Sequence, residues 1–160
     1  MLEGIIKPII SWLLNLLTLG YRDRRVADKE LFCKLYSELP LDSDQVFLLK
    51  EHDFNQAFSF EYLRPLNYVV ADWINPVNRF HNCLVERRKK KFVEKLKIFL
   101  DELSQHTAME ESGLVSIGLN DQGAREKVII KIGKRLNKLS SSAYSDYERF
   151  IVSYKKEINS

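Results

Sequence analysis

Three histidines, His52, His81 and His106, are where a search of this sequence for catalytic or metal chemistry begins. His52 precedes Asp53, and an adjacent imidazole and carboxylate can supply two ligands to a metal ion. Supporting ligands at helical spacing are missing, because the chain has no His-x-x-x-His, Glu-x-x-His or Cys-x-x-Cys sequence. Glycine-rich phosphate loops and serine nucleophile elbows are missing as well. We therefore predict a non-enzymatic protein, with no catalytic residue, metal site, cofactor or small-molecule substrate.

Basic residues are the strongest charge feature of the sequence. Five of them are consecutive, and neighbouring residues on an α-helix lie about 100° apart, so this turn must be mostly solvated on every side. A second basic strip follows at helical spacing near the carboxyl end. We expect these residues to bind anions or a partner: Arg87, Arg88, Lys89, Lys90, Lys91, Lys131, Lys134 and Lys138. Lipid headgroups, nucleic acid phosphates and acidic proteins all fit such a set, and so does a simply solvated helix midpoint.

Residues 5–19 carry ten large apolar side chains around one narrow polar strip. Each is worth roughly 1.5 to 3 kcal/mol when buried, so the segment must enter a membrane, a partner or the core of its own domain. We predict a membrane-associating helix with three arginines directly behind it. The expected membrane-binding residues are Ile9, Ile10, Trp12, Leu13, Leu16, Leu17, Arg22, Arg24 and Arg25.

The length of this segment bears on how it meets a bilayer. The uncharged run 8–21 covers roughly 20 Å as a helix, against a hydrocarbon core of roughly 30 Å, so a span would be short and strained. A helix in the interface would place the arginines among anionic headgroups. In either arrangement we expect the rest of the chain on the cytoplasmic side, with a plainly cytoplasmic protein as the alternative.

Apolar residues recur at gaps of three and four along most of the chain, which predicts an all-α fold of short helices leading into a long antiparallel helical hairpin. Helix starts are expected at Asp28, at Asp42 and near Ser59, where side-chain oxygens can cap a helix. The hairpin helices are expected at 75–106 and 121–158, with a repeat near 3.5 that is typical of coiled coils. The connection, 109–123, contains an extended piece at 114–117.

Composition is that of a folded protein: 160 residues, 45% hydrophobic and 29% charged, with a net charge of +3. Two cysteines, Cys33 and Cys83, are too few for a disulfide framework and favour a reducing compartment, although one bridge between them stays open. We divide the chain into a membrane-associating helix, 1–22, and a helical domain, 23–160. The sequence thus predicts a helical interaction protein at the cytoplasmic face of a membrane, with a protein partner. A soluble nucleic-acid-binding module and a membrane-perturbing effector are the alternatives.

Overall fold

The computed structural model describes the backbone of residues 3–117 and 126–158 and the side chains of residues 20–117 and 126–157. Within these ranges the chain forms five α-helices and one small three-stranded sheet. The helices are α1 (Glu3–Glu38), α2 (Asp44–Glu51), α3 (Leu63–Trp73), α4 (Cys83–His106) and α5 (Glu126–Ile158). The strands are β1 (Phe58–Ser59), β2 (Thr107–Met109) and β3 (Leu114–Ile117). The prediction of a mainly helical protein is confirmed, and the structure adds one small sheet to the helices.

Helix α1 is continuous over 36 residues, which corresponds to about 54 Å. The domain boundary expected at residue 22 lies inside this helix. Asp28, expected to cap a new helix, also lies inside it, because no proline or helix-breaking glycine pair separates the two halves. The helix ends at Glu38, two residues before Pro40, whose ring disfavours helical backbone in the preceding residue.

Side-chain caps set the starts of the next helices. Ser43, rather than the expected Asp42, caps α2 by accepting a hydrogen bond from the Val46 amide. Asn75 and Pro76 begin only a 3₁₀ turn, Pro76–Asn78, instead of the long helix expected there. Helix α4 starts later, at Cys83, where the Asn82 side chain accepts hydrogen bonds from two backbone amides. The start expected at Asn75 is therefore wrong by about two helical turns.

Helices α4 and α5 lie side by side and run in opposite directions, as three cross-helix pairs show. These pairs are Asn82 with Glu157, Lys91 with Asp146, and Glu102 with Arg135. Between the helices and α3 lies an aromatic core of Trp73, Phe80, Phe92, Phe99, Tyr147 and Phe150. Large apolar area is removed from water here, which is the main stabilising contribution to the fold.

The sheet lies near the carboxyl end of α4, where β2 continues directly from the helix. Its strand order is β1-β3-β2 and both pairings are antiparallel. A tight turn joins β2 to β3 and uses Gly113 at φ +80°, a conformation that side chains other than glycine rarely adopt. The extended piece expected at 114–117 is confirmed as β3, but its two partners were not foreseen.

The loop after α2 is fastened to the middle of α5. Asn137 donates to the Asp53 carboxylate and accepts from the Phe54 amide, at 2.9 and 2.8 Å. Gly133 allows the approach, because a Cβ at this position would lie 2.1 Å from the Asn55 Oδ1 atom. The two hydrogen bonds of Asn137 therefore hold the loop against α5, and the missing side chain at Gly133 lets it approach closely.

Candidate functional site

Residues 20–24 mark the point where α1 meets the folded domain. All five are exposed, and Tyr21 keeps 61% of its accessible surface. Because five consecutive helical residues cover the whole helix circumference, no side of α1 is buried at this level, although Tyr21 and Arg24 line a cavity of about 210 Å³ beside the start of α4. Burial begins at Asp28 and continues through Phe32, Leu35 and Leu39. We call residues 20–24 the exit turn of α1.

The predicted membrane-binding residues divide between this turn and the segment before it. Arg22 and Arg24 are exposed on the exit turn. Arg25 is half-buried, and its guanidinium lies 5.7 Å from the centre of the Tyr21 ring. The apolar members lie outside the residues whose side chains the structure describes: Ile9, Ile10, Trp12, Leu13, Leu16 and Leu17. Among the described residues, no helix combines the length and apolarity needed to cross a bilayer.

Asp28 fastens α1 to the start of α4. Its two carboxylate oxygens accept hydrogen bonds from the His81 and Asn82 amides, at 2.7 and 2.9 Å. The carboxylate is buried and lies where unpaired amides of the α4 start give a positive potential. The direction of α1 at its exit is therefore fixed relative to α4.

Lys89 is the member of the basic run that the structure places in the interior. Its side chain is 2% exposed, and Nζ lies 3.0 Å from Glu86 Oε2 and donates to the Asn78 carbonyl. Burial lowers the pKa of Lys89 from its ordinary value, although the Glu86 carboxylate opposes that shift. Glu86 also accepts from the Phe80 amide at 3.0 Å. Lys89 thus holds the 78–80 segment against α4 and does not belong to the anion-binding surface expected from the sequence.

The other four members of the run point in different directions around α4. Arg87 and Lys90 are exposed, while Lys91 lies 3.6 Å from the buried Asp146 carboxylate. Arg88 is half-buried and lines a groove of about 550 Å³. The groove follows one face of α5 and is closed at its side by the segment before α2. We call it the Arg88 groove; its lining includes Leu41, Arg88, Ser145, Glu148, Arg149, Val152 and Lys155.

The basic strip on α5 is separate from the run on α4. Lys131, Lys134 and Lys138 are exposed on α5, as is Lys127. The run on α4 lies at the level of Asp146, eight residues beyond Lys138, which corresponds to about 12 Å along the helix. The structure therefore gives two smaller basic regions instead of one continuous patch.

The histidines have structural neighbours. His52 packs edge-on against Phe54 and Phe58, and Asp53 accepts hydrogen bonds from Asn55 and Asn137. These hydrogen bonds hold the pKa of Asp53 below its ordinary value, the largest effect coming from Asn137. His106 lies 3.1 Å from Glu102. In the described part of the chain no group of three or more histidine, cysteine or acidic residues could hold a metal ion, and both cysteines are unbridged and exposed.

Comparison of the chain with protein-family models, curated proteins and solved structures finds no match. The candidate functional regions are therefore defined by geometry: the exit turn with Arg22 and Arg24, the exposed members of the basic run, and the Arg88 groove. The groove was missed by sequence reasoning, because Leu41, Arg88 and α5 come together only in the folded chain.

Proposed function

We propose that this protein is a non-enzymatic helical interaction protein held at the cytoplasmic face of a membrane by the amino-terminal part of α1. The observation that carries the proposal is the exit turn, where α1 is exposed on every side immediately after the apolar segment of the sequence. A helix that only completed the core of its own domain would be expected to bury a side throughout its length. The exit turn instead separates the apolar segment from the buried half of the same helix.

The charges on the exit turn fit this role. Arg22 and Arg24 directly follow the apolar segment, where anionic headgroups would lie, and each is worth roughly 1 kcal/mol of binding near such a surface. The uncharged run is shorter than the hydrocarbon thickness, which favours a helix lying in the interface over one that spans. Because Asp28 ties α1 to α4, the domain would be presented in a defined orientation.

Flotation on vesicles tests the attachment. We expect the full chain to float with vesicles that contain anionic lipid and to float less with purely zwitterionic ones. Replacing Arg22 and Arg24 with glutamine removes about 2 kcal/mol on anionic vesicles and should weaken binding there by about 30-fold. The matched control replaces Lys97 and Lys127 with glutamine; both carry the same charge on exposed positions outside the exit turn and outside the predicted anion-binding residues, and flotation should be unchanged.

Tryptophan fluorescence gives a second, site-specific measurement. The chain has two tryptophans, and Trp73 is buried with its Nε1 2.7 Å from Glu38 Oε2. Lipids brominated on their acyl chains should therefore quench Trp12 and leave Trp73 unchanged, with the Trp12→Phe variant as control. Bromine near the headgroups should quench more than bromine at the bilayer centre if the helix lies in the interface.

Three results would contradict the proposal. The first is a full chain that stays at the bottom of the gradient with both kinds of vesicle. The second is a salt-sensitive shift of nucleic acid that glutamines at Arg87, Lys90 and Lys91 abolish, which would favour a nucleic-acid-binding module. The third is dye leakage from vesicles that depends on Trp12 and Leu13, which would favour a membrane-perturbing effector.

A further inference from the structure

The Arg88 groove contains a cation whose hydrogen bonding is incomplete. Arg88 is half-buried, and its Nε atom is enclosed with no hydrogen-bond partner among the described residues. An enclosed donor without an acceptor costs about 1 to 3 kcal/mol, and such groups are few in folded proteins. No salt bridge joins the Arg88 guanidinium to a carboxylate among the described residues either. Arg88 is therefore a groove-lining cation whose charge has no acidic partner in the described part of the chain.

Other groove residues give the surroundings of Arg88 a positive charge. Lys155 lines the groove, and Arg149 lies beside it with a 3.2 Å contact to the buried Asp146. Glu148 is the acidic residue of the lining, and its carboxylate accepts a hydrogen bond from the Tyr144 hydroxyl at 2.7 Å. A ligand in the groove would thus meet three cations and one anion.

The groove also offers apolar contact. Val152, which is 63% exposed, and Leu41 both line it. Ser145, Arg149, Val152 and Lys155 repeat at gaps of three and four, so they form one stripe along about three turns of α5. A ligand that matches this stripe needs apolar and acidic side chains at the same helical spacing.

We propose that the Arg88 groove binds an acidic amphipathic helix of a partner protein, which places a carboxylate beside the guanidinium of Arg88 and an apolar side chain on Val152 and Leu41. A nucleic acid backbone would supply anions but no apolar side chain for Val152. The same mismatch disfavours lipid headgroups. The inference deepens the interaction role proposed above and rests on it. It does not depend on the proposed membrane attachment.

Peptide binding tests the groove. The probe is a fluorescent synthetic helix of about 14 residues, about four turns, with leucine on one face and glutamate beside it. The full chain is used in a zwitterionic detergent, and the detergent without protein gives the blank. We expect the glutamate peptide to bind and the glutamine version of the same peptide to bind at least about tenfold more weakly, because the charged hydrogen bonds to Arg88 are lost.

Variants of the protein distinguish binding in the Arg88 groove from non-specific charge attraction. Arg88→Gln should weaken binding at least about tenfold, and Val152→Asp should abolish it. Arg87→Gln is the matched control: it removes the same charge one residue away, outside the groove lining, and should change affinity less than about twofold. Arg88 bonds no described residue, so Arg88→Gln should keep the circular dichroism and thermal midpoint of the parent.

Several outcomes would overturn the proposal. Equal losses in Arg87→Gln and Arg88→Gln would indicate diffuse charge attraction, and nucleic acid competing the peptide away through Arg88 would indicate a phosphate site. A parent protein that dimerises through Val152 would identify a second copy as the occupant. A protein that does not float with vesicles but still binds the peptide would contradict only the proposed membrane attachment.

Discussion

Replacing Lys89 with methionine should destabilise the protein far more than the same change at its neighbour Lys90. Both lysines contact Glu86: Lys89 Nζ lies 3.0 Å from one carboxylate oxygen and Lys90 Nζ lies 3.7 Å from the other. Their side chains differ in exposure, at 2% and 68%. The comparison therefore holds the helix, the partner and the charge change nearly constant and varies the burial.

The expected magnitudes follow from that difference. Removing one partner of a buried ion pair costs about 3 to 5 kcal/mol, since the other charge stays buried. Glu86 keeps the Phe80 amide and Lys90 in Lys89→Met, so we expect about 3 kcal/mol, to which the orphaned Asn78 carbonyl contributes. An exposed pair contributes about 0.2 to 1 kcal/mol, which is the loss expected for Lys90→Met.

Urea unfolding followed by circular dichroism measures both losses as free energies of unfolding. The double variant Glu86→Gln/Lys89→Met removes both charges and should recover about 1 to 2 kcal/mol relative to Lys89→Met alone. Equal losses for Lys89→Met and Lys90→Met would refute the reasoning, because they would mean that burial of the ammonium group has no energetic consequence in this fold.

Three further predictions concern the anchors of the fold. Asp28→Ala should cost about 2 to 4 kcal/mol in urea unfolding, because two backbone amides of the α4 start lose a charged acceptor; a loss below 1 kcal/mol would show that Asp28 does not fasten α1. Gly133→Ala should stabilise by about 1 kcal/mol in an Asn55→Ala background, through helix propensity, but not in the parent, where the new Cβ meets the Asn55 side chain. Equal effects in both backgrounds would rule out that contact. Burial raises the pKa of Tyr154 from 10.0 to about 12. The stability that this difference from the unfolded chain contributes is therefore fully present below pH 10 and is lost as the pH rises toward 12. Tyr154→Phe should move the alkaline unfolding midpoint, followed by circular dichroism, to higher pH, and an unchanged midpoint would contradict this.

Helix positions were predictable from the sequence to the extent that local signals decide them. Periodic apolar residues indicated α2, α3 and α5, and the Ser43 cap of α2 lies one residue from the predicted start at Asp42. The 75–82 segment differs because its conformation depends on distant partners. Asn78 donates to both the carbonyl and the carboxylate of Asp72, and its own carbonyl accepts from Lys89. These contacts end the turn that Asn75 begins, and no local pattern contains them.

The basic run shows how a small error in register changes the expected site. Tracing the apolar seam of α4 forward from Leu84 leads to Arg88, which would leave the seam interrupted by a solvated arginine. The seam instead passes through Val85, Lys89 and Phe92, while Leu84 keeps 40% of its surface exposed. A lysine in an apolar seam requires a buried acid within reach, and Glu86, three residues before it, is that acid. Of five basic residues with the same charge, one is therefore structural, and the sequence alone does not say which.

The same register that buries Lys89 also places Arg88 at the edge of α4, beside α5. At that edge Nε is enclosed without a hydrogen-bond partner, and no carboxylate among the described residues forms a salt bridge with the guanidinium. Lys89 meets its acid within its own helix, whereas an acid for Arg88 would have to approach from outside the groove. Arg88 and Lys89 are adjacent on one helix, and their side chains point about 100° apart. Lys89 is therefore a structural residue, and Arg88 is a candidate binding residue. If Arg88→Met raised the free energy of unfolding while it abolished peptide binding, the unpaired arginine would be retained for recognition at a cost in stability.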